Sequence, residues 1–163
     1  MVKIHERKFV SCDPDKCVGC QTCEYACSMA TEKAFNPTKS RIRVVRVNQL
    51  TNMAVACRLC ENPRCVAACP RDALSQSEET GVILVDKDAC NGCGWCIQAC
   101  DYGAINIHPE SKVAFVCDRC KGNGEPQCVK WCPEEALTLV TSDVLAQKAR
   151  INAIGKLFQE SKT

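Results

Sequence analysis

Sixteen of the seventeen cysteines fall into four quartets, and this pattern constrains the chain more than any other feature. The clearest quartet is the run CNGCGWCIQAC, with the spacing C-x2-C-x2-C-x3-C. In such a run three thiolates bind one iron–sulfur cubane, while the fourth reaches a neighbouring cluster. One run therefore implies a second. The quartets are Cys17, Cys20, Cys23 and Cys27; Cys57, Cys60, Cys65 and Cys69; Cys90, Cys93, Cys96 and Cys100; and Cys117, Cys120, Cys128 and Cys132.

The quartets are variants of one repeat unit. Each begins with C-x2-C and ends with C-x3-C, and the middle gaps are two, four, two and seven residues. A repeat of this kind is typical of a chain that stacks one structural unit several times. We therefore predict four [4Fe-4S] clusters. Because all sixteen positions are cysteine, nothing suggests a three-iron variant.

Other uses of so many cysteines are less consistent with the sequence. A disulfide scaffold needs a secreted chain, but the opening MVKIHERKFV is charged and lacks the apolar segment of a secretory signal. Zinc is the main metal alternative, yet three cysteines within seven positions crowd a single tetrahedral ion. A radical enzyme of the S-adenosylmethionine type needs a cluster with only three cysteines. We expect a cytoplasmic, non-catalytic protein.

Composition narrows the class of partner. The net charge is +2, and no basic block is interleaved with aromatic residues, so we expect no nucleic-acid partner. No apolar run approaches the roughly 18 residues that indicate a membrane span, so we expect no direct span either.

The arrangement of the quartets predicts the fold class. The second and third are adjacent and form a complete two-cluster ferredoxin unit, so the simplest completion pairs the first with the fourth around it. We predict an α+β fold of two bacterial-type 2[4Fe-4S] ferredoxin-like modules, one inserted in the other, plus a C-terminal helix. The outer module comprises 1–56 and 108–141, the inserted module 57–107, and the helix 142–163.

Paired quartets are expected to exchange their last cysteines. This predicts four ligand sets, which we number in order. Set 1 is Cys17, Cys20, Cys23 and Cys132; set 2 is Cys27, Cys117, Cys120 and Cys128; set 3 is Cys57, Cys60, Cys65 and Cys100; and set 4 is Cys69, Cys90, Cys93 and Cys96.

The segments between quartets predict short strands. We expect one around Phe9, a hairpin that turns at Gly81, and a strand over 102–107. The alternation in 41–50 predicts another strand, with a bulge or register change at Val44–Val45.

Three arginines lie on that strand, Arg41, Arg43 and Arg46. They could face an acidic partner, but charges on an edge strand more often keep it soluble.

The segment 142–163 differs from the rest because it contains no cysteine. Its apolar residues recur at helical spacing, and Ser142 or Thr141 is placed to cap the helix. Two interpretations of this stripe are open. It packs against the rest of the same chain, or it docks onto a partner subunit or a second copy. The stripe is Val144, Ile151, Ile154 and Phe158.

Five further residues have less specific interpretations. Cys12 lies outside the quartets and is expected to be a small buried side chain. His5 and His108 are expected at the surface. Trp95 and Trp131 each precede a ligand cysteine, and we expect their side chains to keep water from the clusters rather than to relay electrons.

The segments ACRLCENPRCVAACPRDAL and VCDRCKGNGEPQCVKWCPEEAL carry a resemblance that covers about 12–140. They resemble the four-cluster electron-transfer subunits of molybdenum- and tungsten-pterin oxidoreductases, formate hydrogenlyases, membrane-linked hydrogenases and carbon monoxide dehydrogenase. The short loop of the fourth quartet, compared with the larger subunits of this group, and the small size of the chain are most similar to the small subunit accompanying tungsten aldehyde oxidoreductases. Subunits of the dimethyl sulfoxide and nitrate reductase type usually carry longer loops.

The resemblance implies a non-catalytic subunit that passes electrons between a catalytic subunit and an external redox partner. The catalytic subunit would be a tungsten- or molybdenum-pterin aldehyde oxidoreductase, and the external partner an NAD- or ferredoxin-linked subunit. Alternatives are a subunit of a formate dehydrogenase, hydrogenase or carbon monoxide dehydrogenase, a free polyferredoxin, or a redox sensor.

Overall fold

The computed structural model describes residues 7–48, 50–121 and 124–160, and within them the fold is a mixture of short strands and helices. These residues form eight strands, paired as four antiparallel two-stranded sheets, five α-helices and one short 3-10 helix at Pro37–Lys39. The strands are β1 (Phe9–Cys12), β2 (Arg43–Arg46), β3 (Asn52–Val55), β4 (Leu74–Gln76), β5 (Ile83–Val85), β6 (Asn106–Ile107), β7 (Ala114–Phe115) and β8 (Leu137–Val140). The helices are α1 (Thr22–Glu32), α2 (Arg64–Ala67), α3 (Trp95–Gln98), α4 (Gln127–Lys130) and α5 (Ser142–Glu160).

Pairing between β1 and β8 brings the segment before the first quartet beside the segment after the fourth. The register runs from Phe9 opposite Val140 to Cys12 opposite Leu137. Helix α1, from the first quartet, packs against α4, from the fourth, while α2 packs against α3. The four quartets are therefore neighbours in two pairs.

Buried side chains of the described residues form three hydrophobic cores. The first core is Val10, Cys23, Cys27, Ile42, Ala54, Ala56, Cys117, Cys128 and Leu137. The second core is Cys65, Ala73, Leu74, Ile83, Cys96, Ile105, Ala114 and Val116. The third core is Phe9, Leu59, Val82 and Val140. Half-buried Cys57 packs against all three, so it lies where the cores meet.

The hairpin of β6 and β7 crosses the expected module boundary at 107/108. Ala114 on its second strand belongs to the second core, together with residues of the expected inserted module. The hairpin therefore joins the two regions.

Several expected elements are present. Strand β1 includes Phe9, and β4 and β5 form a hairpin around Gly81, as expected. The strand expected over 102–107 is shortened to Asn106–Ile107.

The expected bulge at Val44–Val45 is wrong. Strands β2 and β3 pair one residue to one residue throughout. Val44 packs against the first core, whereas Val45 is exposed on the other face, so the ordinary alternation of a strand accommodates both valines.

Two of the arginines on this segment are occupied within the chain. The Arg41 guanidinium pairs with the carboxylates of Asp118 and Glu32. The Arg43 guanidinium donates to the carbonyl oxygens of Pro37 and Thr38. Contacts within the chain therefore hold both of these side chains.

Helix α5 is confirmed from Ser142 to Glu160. Its apolar stripe does not pack against the rest of the chain, which was one of the two alternatives left open for this helix. Thr141 caps the helix, because its Oγ1 accepts a hydrogen bond from the Val144 amide at 3.4 Å. Ile151 and Ile154 are 61% and 53% exposed, and the half-buried Leu145 near the start packs against the third core instead. In the part of the chain described, no helix is long and apolar enough to span a membrane.

A left-handed residue recurs two positions after the first cysteine of every quartet. The residues are Gly19, Leu59, Gly92 and Arg119, with φ of 72°, 52°, 71° and 59°. A side chain in this conformation costs roughly 1–2 kcal/mol. For Leu59, burial in the third core offsets that cost, since a buried leucine contributes about 1.5–3 kcal/mol.

Close packing against the backbone is a second reason for glycine at position 92. A Cβ at this position would collide with the backbone carbonyl oxygen of Lys112. We expect Gly92→Ala to lower the thermal midpoint and the iron content more than Gly94→Ala. The control residue also has positive φ, 83°, but has open space around its Cβ. Thermal unfolding followed by circular dichroism under anaerobic conditions measures the difference, and equal losses would contradict the role of the Lys112 contact.

Candidate iron–sulfur centres

One hollow in the surface is lined by cysteines from both ends of the chain. It brings together the four cysteines of set 1, with apolar walls from Val44, Ala54 and Leu137. Cys23 lies on α1, and Cys132 lies two residues after the end of α4. Because α1 packs against α4, the two cysteines face one space although more than a hundred residues separate them.

A second hollow brings together the four cysteines of set 4. Cys96 lies on α3, and Cys69 follows α2, so packing between these two helices repeats the arrangement of the first hollow. Ala73, Leu74 and Ala114 supply apolar walls.

Within set 3, and likewise within set 2, the thiols lie close enough for their charges to interact. Burial and then the charges of Cys65, Cys60 and Cys100 raise the pKa of Cys57 to about 12. Burial and then the charges of Cys117, Cys27 and Cys120 raise the pKa of Cys128.

Interactions also connect one set with the next. Cys128 of set 2 interacts with Cys23 of set 1. Cys117 of set 2 interacts with Cys57 of set 3. Sets 3 and 4 meet at the second core, which contains Cys65 and Cys96 and has Cys57, Cys69, Cys90 and Cys100 packed against it. The sets therefore follow one another as 1, 2, 3 and 4.

Backbone amides point at several of these sulfur atoms. The N–H donors and Sγ acceptors are 3.3 to 3.4 Å apart for Arg41 to Cys27, Ala73 to Cys69, Ala104 to Cys100, Ala114 to Cys90 and Arg119 to Cys117. Such hydrogen bonds stabilise thiolate and help to set the potential of an iron–sulfur cluster.

The amides change the ionisation of one cysteine outright. Burial disfavours the Cys69 thiolate, yet the amides of Arg71, Ala73 and Leu74 together lower its pKa. Elsewhere burial dominates and raises the pKa of Cys23 and Cys117 to about 12, so these thiols are neutral until they bind metal. Four thiols with amide donors fit a [4Fe-4S] cluster, and binding would release their protons.

Among the described residues, no group of three or more His, Cys, Asp or Glu side chains could hold a single metal ion.

Cys12 lies beside set 1. It is half-buried and packs against the first core, as a small apolar side chain would. Its Sγ accepts a hydrogen bond from the Ala54 amide at 3.3 Å. Burial raises its pKa to about 11, with smaller contributions from Cys17 and Cys132.

The expectation that both tryptophans shield the clusters is wrong. Trp95 and Trp131 are 62% and 59% exposed, and neither lines a cysteine hollow. Each precedes a cysteine on or next to a short helix, where successive side chains point about 100° apart. When the cysteine faces inward, the tryptophan is directed outward.

His108 is also not a surface residue. Its side chain is 12% exposed, and its ring packs edge-on against Phe115. The Nε2 atom lies 3.7 Å from Glu32 Oε2. His5 lies outside the described residues.

A groove between α1 and α4 was not predicted from the sequence. It has a volume of about 690 Å³ and lies between α1 and α4, with exposed Met29, Phe35 and Trp131 along it. Exposed apolar surfaces of this kind often mark interaction sites.

The comparison with known families gives one match. The family described as "4Fe-4S dicluster domain" matches residues 48–142, more than half of the chain.

Curated relatives extend the match. The polyferredoxin-like subunit of the aliphatic sulfonate oxidoreductase of Pyrococcus furiosus is 38% identical over 86% of this chain and 82% of its own. The thiosulfate reductase electron transfer subunit of Salmonella typhi is 35% identical over 77% of this chain and 71% of its own. A polysulfide reductase subunit of Wolinella succinogenes is 33% identical over 87% of this chain and 79% of its own. The chain therefore belongs to the 4Fe-4S dicluster family, and it is an iron–sulfur electron-transfer protein that carries four [4Fe-4S] clusters.

Proposed function

We propose that this protein is the electron-transfer subunit of an oxidoreductase complex. A [4Fe-4S] cluster accepts and releases single electrons. The observation that carries the proposal is the continuous series of cysteine sets. Cys23 of set 1 and Cys128 of set 2 share the first core, and Cys57 of set 3 packs against that core. A carrier between two distant sites needs such a series, whereas a sensor needs only one labile cluster.

We also propose that sets 1 to 4 are the ligand sets. The two hollows and the interacting thiols support them, because each brings the last cysteine of one quartet to the first three of another. The corresponding division is an outer module of 1–56 and 108–141 around 57–107, supported by the pairing of β1 with β8 and of α1 with α4.

The proposed catalytic partner is a tungsten- or molybdenum-pterin oxidoreductase, with an aldehyde oxidoreductase as the first candidate. This rests on the resemblance in the second and fourth quartets and on the short fourth loop. The external partner would be an NAD- or ferredoxin-linked subunit in the cytoplasm, where thiols stay reduced.

A second candidate is a subunit of a sulfur-compound oxidoreductase. The relatives from Pyrococcus, Salmonella and Wolinella are named for sulfonate, thiosulfate and polysulfide, and their identities of 33–38% favour it.

Purification from native extract distinguishes these candidates from a free polyferredoxin. We expect the tagged chain to co-purify in stoichiometric amount with a larger catalytic subunit, whose metal content and substrate range identify the reaction. Metal analysis should find tungsten or molybdenum. Recovery of the chain alone, with its clusters intact, would overturn the subunit proposal.

The crossed ligand sets predict an effect on the neighbouring quartet. We expect Cys100→Ser to damage the cluster of set 3, which begins at Cys57, while set 4 remains intact. The protein should lose up to about a quarter of its iron, since one of four clusters is affected.

Iron and sulfide analysis with electron paramagnetic resonance (EPR) of the reduced protein measures this loss. Cys12→Ser is the matched control, because Cys12 lies outside all four sets, and it should retain all the iron. Damage to set 4 in the Cys100 variant would contradict the crossed arrangement.

We further propose that α5 docks onto a partner subunit or a second copy through its exposed stripe. The double variant Ile151→Asp with Ile154→Asp should reduce assembly, since it places charges on the buried side of such a contact. The control is Asn152→Asp with Ala153→Asp, which adds the same charge to the opposite face. Light scattering of cluster-loaded protein, alone and with its catalytic subunit, measures assembly. Unchanged assembly, also after deletion of 142–163, would refute the docking.

A further inference from the structure

We propose that Arg41 is a positioning residue that joins the two halves of set 2 and tunes the charge around it. Set 2 takes Cys27 from the first quartet and its other three cysteines from the fourth. The inference rests on the proposed ligand sets and goes beyond them, because it assigns a role to a residue that is not a ligand.

The backbone of Arg41 makes the first connection. Its amide donates to Cys27 Sγ at 3.3 Å. The flanking residues hold that amide in place, since the fully buried Ser40 hydroxyl exchanges hydrogen bonds with the amide and carbonyl of Ile42. The direction of the Arg41 amide is therefore fixed on the Cys27 sulfur.

The Arg41 side chain makes the second connection. Its guanidinium pairs with Asp118 Oδ2, 77 residues away in sequence. The other oxygen of Asp118 accepts a hydrogen bond from the Cys120 amide at 3.0 Å. One residue therefore contacts Cys27 through its backbone and the Cys117–Cys120 turn through its side chain.

This turn needs support because its backbone is strained. Arg119 and Cys120 both have positive φ, 59° and 56°, and neither is glycine. Both residues disfavour the turn, because in this conformation the Cβ atom crowds the following carbonyl oxygen. The ion pair to Asp118 helps to hold it.

A third charge completes the arrangement. Glu32, the last residue of α1, lies 3.5 Å from the Arg41 guanidinium. All three side chains are partly buried, with 20% of Arg41 exposed, so their charges are less screened than at an open surface. Without the arginine, two carboxylates would lie near set 2 uncompensated.

The sign of the effect follows from electrostatics. Reduction adds a negative charge, which a neighbouring cation favours and a neighbouring carboxylate disfavours. Arg41→Gln should therefore shift the potential of the set 2 cluster to more negative values. Asp118→Asn should shift it to more positive values. A purely structural role would not give opposite signs.

The test is an anaerobic redox titration of the full-length protein, followed by EPR. The set 2 signal is identified as the one lost in Cys128→Ser. We expect Arg41→Gln and Asp118→Asn to move this signal in opposite directions and to leave the other three in place. Arg41→Lys keeps the positive charge but lacks the planar guanidinium, so its set 2 potential should lie between those of the wild type and Arg41→Gln. The control is Arg43→Gln, because the Arg43 guanidinium donates to the carbonyl oxygens of Pro37 and Thr38 and not to Asp118, so it should leave the set 2 signal in place.

Loss of the set 2 cluster alone from Arg41→Gln would also support the positioning role. Shifts of one sign in both variants, equal behaviour of Arg41→Gln and Arg43→Gln, or iron loss spread over all sets would overturn it. If Cys128→Ser removes no single signal from the wild-type pattern, the proposed ligand sets fail instead.

Discussion

Cysteine occupies much of the space that a hydrophobic core would fill in another protein of this length. Four of the nine buried residues of the first core are cysteines, and aromatic residues are only 5% of the chain. Short two-stranded sheets and helices of one turn bury little apolar surface by themselves. We therefore expect metal binding by the buried thiolates to stabilise the fold, and loading of the clusters to be coupled to folding.

This coupling explains why so much of the fold could be predicted from cysteine spacing alone. The spacing fixed the number of quartets, and the helical period at 142–163 indicated α5. The turns were less accessible. Glycine marks the left-handed position at Gly19 and Gly92, but Leu59 and Arg119 adopt the same conformation without that signal. Their conformation is imposed by tertiary packing and by hydrogen bonds, which local sequence does not record.

Errors about single side chains share one cause. The ion pair of Arg41 with Asp118 joins residues 77 positions apart, and the contact of His108 with Glu32 is also between distant segments. Nothing in the neighbourhood of either residue in sequence indicates its partner. The two tryptophans are neighbours of a cysteine in the sequence, but their side chains do not line the cysteine hollows. Because the cysteine side chain points inward from a short helix, the side chain of the preceding tryptophan points outward.

The arrangement of the sets has a direct functional meaning. Cys57, where the three cores meet, interacts with Cys117 of set 2, so the connection between the expected modules is made by cysteine itself. The groove between α1 and α4 lies beside two of these sets, because α1 carries Cys23 of set 1 and Cys27 of set 2.

Reductive titration of the purified, cluster-loaded protein tests this account most directly. The account predicts reversible uptake of about four electrons per chain, one for each cluster. Uptake of fewer electrons by fully loaded protein, or loss of a cluster on reoxidation, would contradict an electron carrier and favour a redox sensor.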